Sequence, residues 1–178
     1  MEELEDPTER LKETMEAAEE KRERWTLHVA LSTAIIAVLA AIAGLLGNHH
    51  ANEAMLEQVK SSDKWAYYQS KSIKSEINAS TGQILAAIGK PLPPENEQKA
   101  KQYEADKAQI KEDADKEEQS SEAHMQQHIV FSRSVTIFQI AIAISAIAIL
   151  TRKKAMWYIS MILAVAGSVF LVLGFMAH

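Results

Sequence analysis

The chain contains no cysteine. That excludes disulfides, thiolate metal sites and a cysteine nucleophile, and says nothing about which side of a membrane a polar part would face. Proline is scarce, and three of the four prolines fall together at Pro91, Pro93 and Pro94. Clustered positive charge is missing too. The net charge is −5 over 178 residues, without the basic footprint that DNA or RNA binding needs. Charge is almost absent from three blocks, 26–47, 129–150 and 155–177. A proton relay or ion path normally requires buried Asp, Glu, Lys or His inside a span, and a secondary transporter needs more spans or internal repeats. The main polar side chains of the last two blocks are Gln139, Ser145 and Ser168.

Catalytic signatures are lacking as well. Gly82 to Gly89-Lys90 has the wrong spacing for a phosphate loop, Pro91 stands where Ser or Thr belongs, and no strand precedes it. Pro91-Leu92-Pro93-Pro94 fits a Pro-x-x-Pro ligand but is explained as turn punctuation. No Ser/His/Asp arrangement emerges from the spacing. We expect no enzymatic activity, no catalytic residue and no cofactor.

What is present is long apolar sequence. A helix rises ~1.5 Å per residue, so about 20 apolar residues cross a ~30 Å hydrocarbon core. Residues 26–47 and 155–178 are long enough. The middle span, 129–150, carries Arg133, whose stem can snorkel to the headgroups. The alternation from Ile140 to Ile149 imitates a strand, but a lone strand cannot satisfy its backbone in lipid. The first span is not a cleavable signal peptide, because the 25 residues before it are acidic and long.

Lys and Arg near the span ends set the expected orientation. Lys21, Arg22 and Arg24 precede span one, and Arg152, Lys153 and Lys154 fill the turn 151–154 between spans two and three. Lys60 and Arg133 are the basic residues nearest the membrane on the other side. The N-terminus and that turn are therefore expected in the cytoplasm, and the segment 48–128 and His178 outside it. Trp25, Trp157 and Tyr158 fall at the cytoplasmic interface, where an aromatic belt belongs.

The polar parts read as helical. In residues 1–25, Asp6 caps, Pro7 opens the first turn and Glu9 completes a capping box. Leu4, Leu11, Met15, Ala18 and Trp25 form one stripe, and the helix is expected to run on into span one. Segment 48–128 has one break, at 89–95, where glycine and prolines stop a helix. The arms 51–89 and 95–128 would measure ~58 and ~51 Å at ~1.5 Å per residue, which implies an antiparallel helical hairpin.

Leu56, Val59, Ala66, Ile73, Ile77, Ile84 and Ala87 follow a heptad seam on the first arm, with Asp63, Ser70 and Ser80 as weak members. On the second arm Ala100, Tyr103, Ile110, Ala114, His124 and His128 form a thinner seam, interrupted by Lys107, Glu117 and Ser121. Two helices with so thin a seam are marginal alone, so the hairpin is expected to pack on copies of itself or on another protein. Ala30, Ala34, Ala37, Ala41 and Gly44 in span one form a small-residue stripe that permits close packing in lipid, against another subunit or against the matching stripe Ala141, Ser145 and Ala148.

Four histidines invite a chemical reading. His124 and His128 share a helix face, and a hairpin returns them toward His49 and His50, with Glu53 and Glu122 close by. Imidazoles so gathered suit zinc, copper or nickel, or titrate near neutral pH. The Glu of a His-Glu-x-x-His motif is missing, and polar residues at an interface explain the cluster equally well.

The stretch from Asn52-Glu53-Ala54 through Lys64-Trp65-Ala66-Tyr67-Tyr68-Gln69-Ser70-Lys71, following an N-terminal span, resembles a family of bacterial membrane proteins catalogued only as a domain of unknown function. The likeness extends nearly end to end. It implies a bacterial inner membrane and the same three spans, and brings no activity or cofactor. Trp65, Tyr67, Tyr68 and Gln69 carry the likeness and form the expected interaction surface; a packed contact within the assembly is the alternative.

The expected fold class is thus an all-α membrane protein, three transmembrane helices with a long extramembrane antiparallel hairpin resembling a coiled coil. The leading functional expectation is a non-enzymatic scaffold in the lipid bilayer, acting as a homo-oligomer or docking a membrane or periplasmic protein. The alternatives are an oligomeric channel or transport accessory, lined by Gln139, the serines or the small-residue stripe, and a metal or pH sensor using the histidines.

Overall fold

The structure, a computed structural model, describes residues 7–176. Leu4, Asp6 and His178 lie outside the described residues. Three helices make up the fold, and no strand occurs among the described residues: α1 Pro7–Ala87, α2 Pro94–Thr151 and α3 Lys154–Met176. The N-terminal helix does continue into the first apolar segment, and α1 then runs unbroken to the turn. The alternating segment 140–149 is helical.

Both breaks fall where backbone chemistry puts them. Gly89 takes φ 72°. Lys90 N–H donates to Leu85 O at 2.9 Å and Gly89 N–H to Ala86 O at 3.1 Å, a Schellman pair that absorbs the last carbonyls of α1. Pro94 then opens α2, where its missing N–H costs nothing. The second corner turns on Arg152 at φ 56°, a left-handed conformation uncommon for a side chain of this size.

The chain divides into two compact units, one running up to Gly47 and over Ile129–Met176, the other over Asn48–His128. In the first, three helical segments interlock through residues at three- and four-residue steps. The second segment buries Phe131, Ser134, Phe138, Ala141, Ser145 and Ala148, and the first buries Val29, Ile36 and Ala43. The third presents Ser160, Ala164, Gly167 and Gly174. The two glycines make room for rings: a Cβ on Gly167 would lie 2.8 Å from Phe138, and one on Gly174 2.6 Å from Phe131. Serines satisfy themselves across the bundle. Ser134 Oγ donates to Gly167 O at 2.8 Å and Ser160 Oγ to Ala141 O at 2.7 Å, and Thr33 bonds Ser145. The stripe Ala141, Ser145, Ala148 is therefore buried, whereas Ala30, Ala34, Ala37 and Ala41 stay exposed and only Gly44 is half-buried. The first segment packs on its own chain through the neighbouring face, Val29, Thr33, Ile36 and Ala43.

In the second unit the two arms pack antiparallel. The second arm uses its expected face. Ala114 and Ser121 are buried, and Ala100, Tyr103, Ile110, His124 and His128 are half-buried. The first arm does not. Leu56, Val59, Ile73, Ile77 and Ile84 are each more than half exposed. The face turned inward is Ala54, Glu57, Ser61, Lys64, Tyr68, Lys71, Ser75, Asn78, Gly82 and Leu85, also a heptad but offset by two residues. At about 100° per residue, two residues turn the helix ~200°, so the apolar stripe points away from the second arm.

The reason lies in what crosses the seam. Ser61 Oγ donates to Ala114 O at 3.2 Å and Ser121 Oγ to Ala54 O at 2.7 Å. Such bonds to the opposite backbone require small residues and close helices. Lys64 pairs with Glu117 at 2.9 Å and Lys71 with Asp106 at 2.7 Å. Ser75 Oγ donates to Glu104 at 3.1 Å and Asn78 Nδ2 to Asn96 O at 2.9 Å. Glu117 and Ser121, which interrupt the apolar pattern, are met by Lys64 and by the Ala54 carbonyl of the first arm, while Lys107 bonds Glu104 on its own arm and lies 6.0 Å from the Tyr68 ring.

Candidate functional site

The histidines sit at the open end of the hairpin. His50 Nδ1 and His124 Nδ1 are 2.9 Å apart, with the rings stacked at 5.2 Å. His49 stands 5.4 Å from His50. His124 Nε2 lies 3.8 Å from Glu57 Oε1, and the other oxygen, Glu57 Oε2, is buried without a hydrogen-bond donor. Two imidazole nitrogens at this distance need one N–H between them, so one Nδ1 donates and the other accepts. Burial, then the neighbouring charges of His124 and His49, push the His50 pKa below its usual value; Glu53 opposes and His128 reinforces the shift. Of the four candidate ligands, His50 and His124 meet, through their Nδ1 atoms. Among the described residues no three His, Asp or Glu side chains group as a metal site, and Glu122 is exposed.

A pH dependence follows. A histidine held neutral on folding takes up its proton more readily when unfolded, so its contribution is complete above about pH 6.5 and is lost as pH falls through that value toward the lowered folded one. Thermal unfolding of the intact protein in nanodiscs should shift down between pH 7.5 and 5.5, above the range where the ion-paired carboxylates titrate. His50→Asn should remove most of that shift; an unchanged shift in the variant would rule His50 out as its source.

The four aromatic-motif residues separate. Trp65 and Tyr68 are half-buried, edge to face at 5.5 Å. Tyr67 and Gln69 are exposed. Lys71 Nζ lies 5.3 Å from the Tyr67 ring and 5.7 Å from that of Tyr103, while its bond to Asp106 holds its pKa above the usual lysine value. The motif is thus half seam and half surface. The exposed half borders the apolar stripe of α1, with Tyr67 next to Ala66 and Gln69 next to Ser70.

The other singled-out residues lie as follows. Lys21, Arg22, Arg24, Arg152, Lys153 and Lys154 are all exposed. Trp157 Nε1 donates to Ser32 Oγ at 3.1 Å. Gln139 is exposed, Ser145 is buried and Ser168 Oγ donates to Ala164 O one turn earlier. Leu11 and Met15 of the N-terminal stripe are exposed as well. Sequence reasoning missed Ala54, Ser61 and the Lys64–Glu117 and Lys71–Asp106 pairs. Their signal was a second heptad of small and polar residues running beside the apolar one.

No curated protein and no solved structure matches the chain. One family does, over residues 25–177, a range that takes in all three apolar segments and the whole hairpin. The chain belongs to the family described as Domain of unknown function (DUF4337).

Proposed function

We propose that this chain is a membrane-embedded, non-enzymatic scaffold whose hairpin holds copies of itself, or a partner protein, together. Membrane embedding is supported by what the apolar helices leave uncovered. All three are long and apolar enough to cross a bilayer, and only 17, 28 and 22 % of their most apolar windows is buried. Apolar surface on that scale calls for lipid or other protein around it. The basic residues beside spans one and three favour a cytoplasmic N-terminus and a hairpin on the periplasmic face of a bacterial inner membrane.

The observation that carries the scaffold reading is the outward stripe. Ile73, Ile77 and Ile84 are 60, 61 and 62 % exposed in heptad register, while the inward seam is made of small and polar residues. A solvated helix gains nothing from isoleucine on its water face; a helix that meets another does. Replacing Ile73 and Ile77 together by Asp should lower the mass of the particle extracted in mild detergent while the helical content stays intact. An unchanged mass would remove the stripe from the association. For orientation, a tag at Leu92 should be reached from the periplasm of intact cells, and labelling only after the inner membrane is opened would reverse the topology.

A second reading, pH sensing, is favoured by one observation, the Nδ1-to-Nδ1 contact of His50 and His124. It is compatible with the first, since protonating both rings removes the acceptor that joins the two arms.

A further inference from the structure

We infer that the outward stripe of α1 packs parallel and in register against the same stripe of a second copy. The inference rests on the scaffold reading and names its partner and direction. The stripe runs in alternating three- and four-residue steps from Leu56 to Ala87, and every position is exposed except half-buried Ser70. The rows on either side, from Met55 to Gln83 and from Lys60 to Ile88 in seven-residue steps, are exposed too. A facing helix fills such a surface with knobs in holes. The second arm does not obstruct it, because Ser61, Lys64 and Lys71 meet that arm from the opposite face of α1.

The unbroken helix selects the occupant. α1 runs from Pro7 to Ala87 and so carries the apolar segment 26–47 and the stripe in one helix. Copies embedded in one membrane share one orientation, so their stripes run parallel and begin at the same distance from the bilayer. The spacing also continues backward from Leu56 through Asn52 and His49 to Leu45, Ile42, Val38 and Ile35, all exposed. A soluble partner reaches only the part outside the bilayer. A second copy follows the same spacing through both parts.

The residues suit that alignment. Each stripe position meets its own counterpart, and Leu56, Val59, Ile73, Ile77 and Ile84 form aliphatic layers. In a parallel pair each residue of one flanking row faces the residue five places on in the other row of the partner helix. Met55 then meets Lys60, Ser62 meets Tyr67, Gln69 meets Lys74 and Glu76 meets Thr81, so no like charges face each other across the flanks. Asp63 is the one charge in the stripe. Its layer costs stability, offset in part by Lys60 three residues earlier on the same helix. Polar layers also fix the register. Sliding one copy by seven residues would set Asp63 against Leu56 and Ser70 against Ile77.

The cysteine-free chain makes the test direct. Two differently tagged full-length chains, Val59→Cys and Ile84→Cys, are produced together in one membrane and treated with a mild oxidant. Each should link to its own kind, several-fold above a chain with Ala79→Cys, which is exposed but turned away from the stripe. The crossed product joining the two tags should stay at background, because the two positions stand about 37 Å apart along the helix. Crossed links as abundant as self-links would overturn the register, and Ala79→Cys links as abundant as either would overturn the face. Absence of any link between chains overturns the pairing, and the mass of the unoxidised wild-type particle in mild detergent then separates three cases. Several copies mean that association occurs through another surface, and this chain with a different protein means that the scaffold has another partner. A single chain means that the scaffold reading has failed too.

Discussion

Replacing Ala114 by leucine should open the hairpin. Ala114 is fully buried and faces the first arm, where Ser61 reaches its carbonyl oxygen. Extra methylenes in a closed seam cost about 1–3 kcal/mol in strain. Forcing the arms apart also threatens the bonds on either side, Ser121 to Ala54 O and Lys64 to Glu117, worth about 1 kcal/mol each. The sum is large against the few kcal/mol that a thin seam supplies. Limited proteolysis of the intact protein in membranes should show faster cleavage within 48–128 for Ala114→Leu. The outward replacement Ile77→Ser, made in detergent-dispersed single chains, should leave cleavage unchanged. Equal cleavage of wild type and Ala114→Leu would mean that the arms are not held through this face.

Gly174→Ala should destabilise the three-helix unit by a similar amount. Its Cβ would fall 2.6 Å from the Phe131 ring, which is itself fully buried and edge to face with Phe175 at 5.6 Å. The ring has little room to retreat, so a cost of about 1–3 kcal/mol is expected. Gly167→Ala against Phe138 should behave alike. A smaller partner should relieve the strain, so Phe131→Leu combined with Gly174→Ala should cost less than the two single changes together. Unfolding of the purified protein in mixed micelles measures this coupling, and strict additivity would contradict the proposed contact.

Both results bear on how far the sequence could be read. The three apolar segments and the two corners were legible because each rests on one strong local signal: a run of uncharged residues, Gly89 followed by prolines, a short basic turn. The second arm was legible because Ala100, Tyr103, Ile110 and Ala114 offered only one seam. The first arm offered two, both with a seven-residue period. Periodicity cannot say which of them faces the other arm, and the greater hydrophobicity of Leu56, Val59 and Ile73 pointed to the wrong one. The deciding information was complementarity across the hairpin, Lys64 with Glu117, Lys71 with Asp106 and Ser61 with the Ala114 backbone, which no single helix displays. The small-residue stripe in span one was ambiguous for the same reason, and it is the adjacent face, Val29 and Ile36, that packs within the chain. The histidines were brought together by the hairpin alone; the contact of one Nδ1 with the other depends on side-chain geometry that spacing does not encode.

The central proposal is that this chain is embedded in a membrane and works through association. The most direct measurement is the mass of the untagged particle after mild-detergent extraction from native membranes. A particle of several 19.8 kDa chains, or of this chain with a defined protein partner, is the expected result; a single chain under every mild extraction would contradict it.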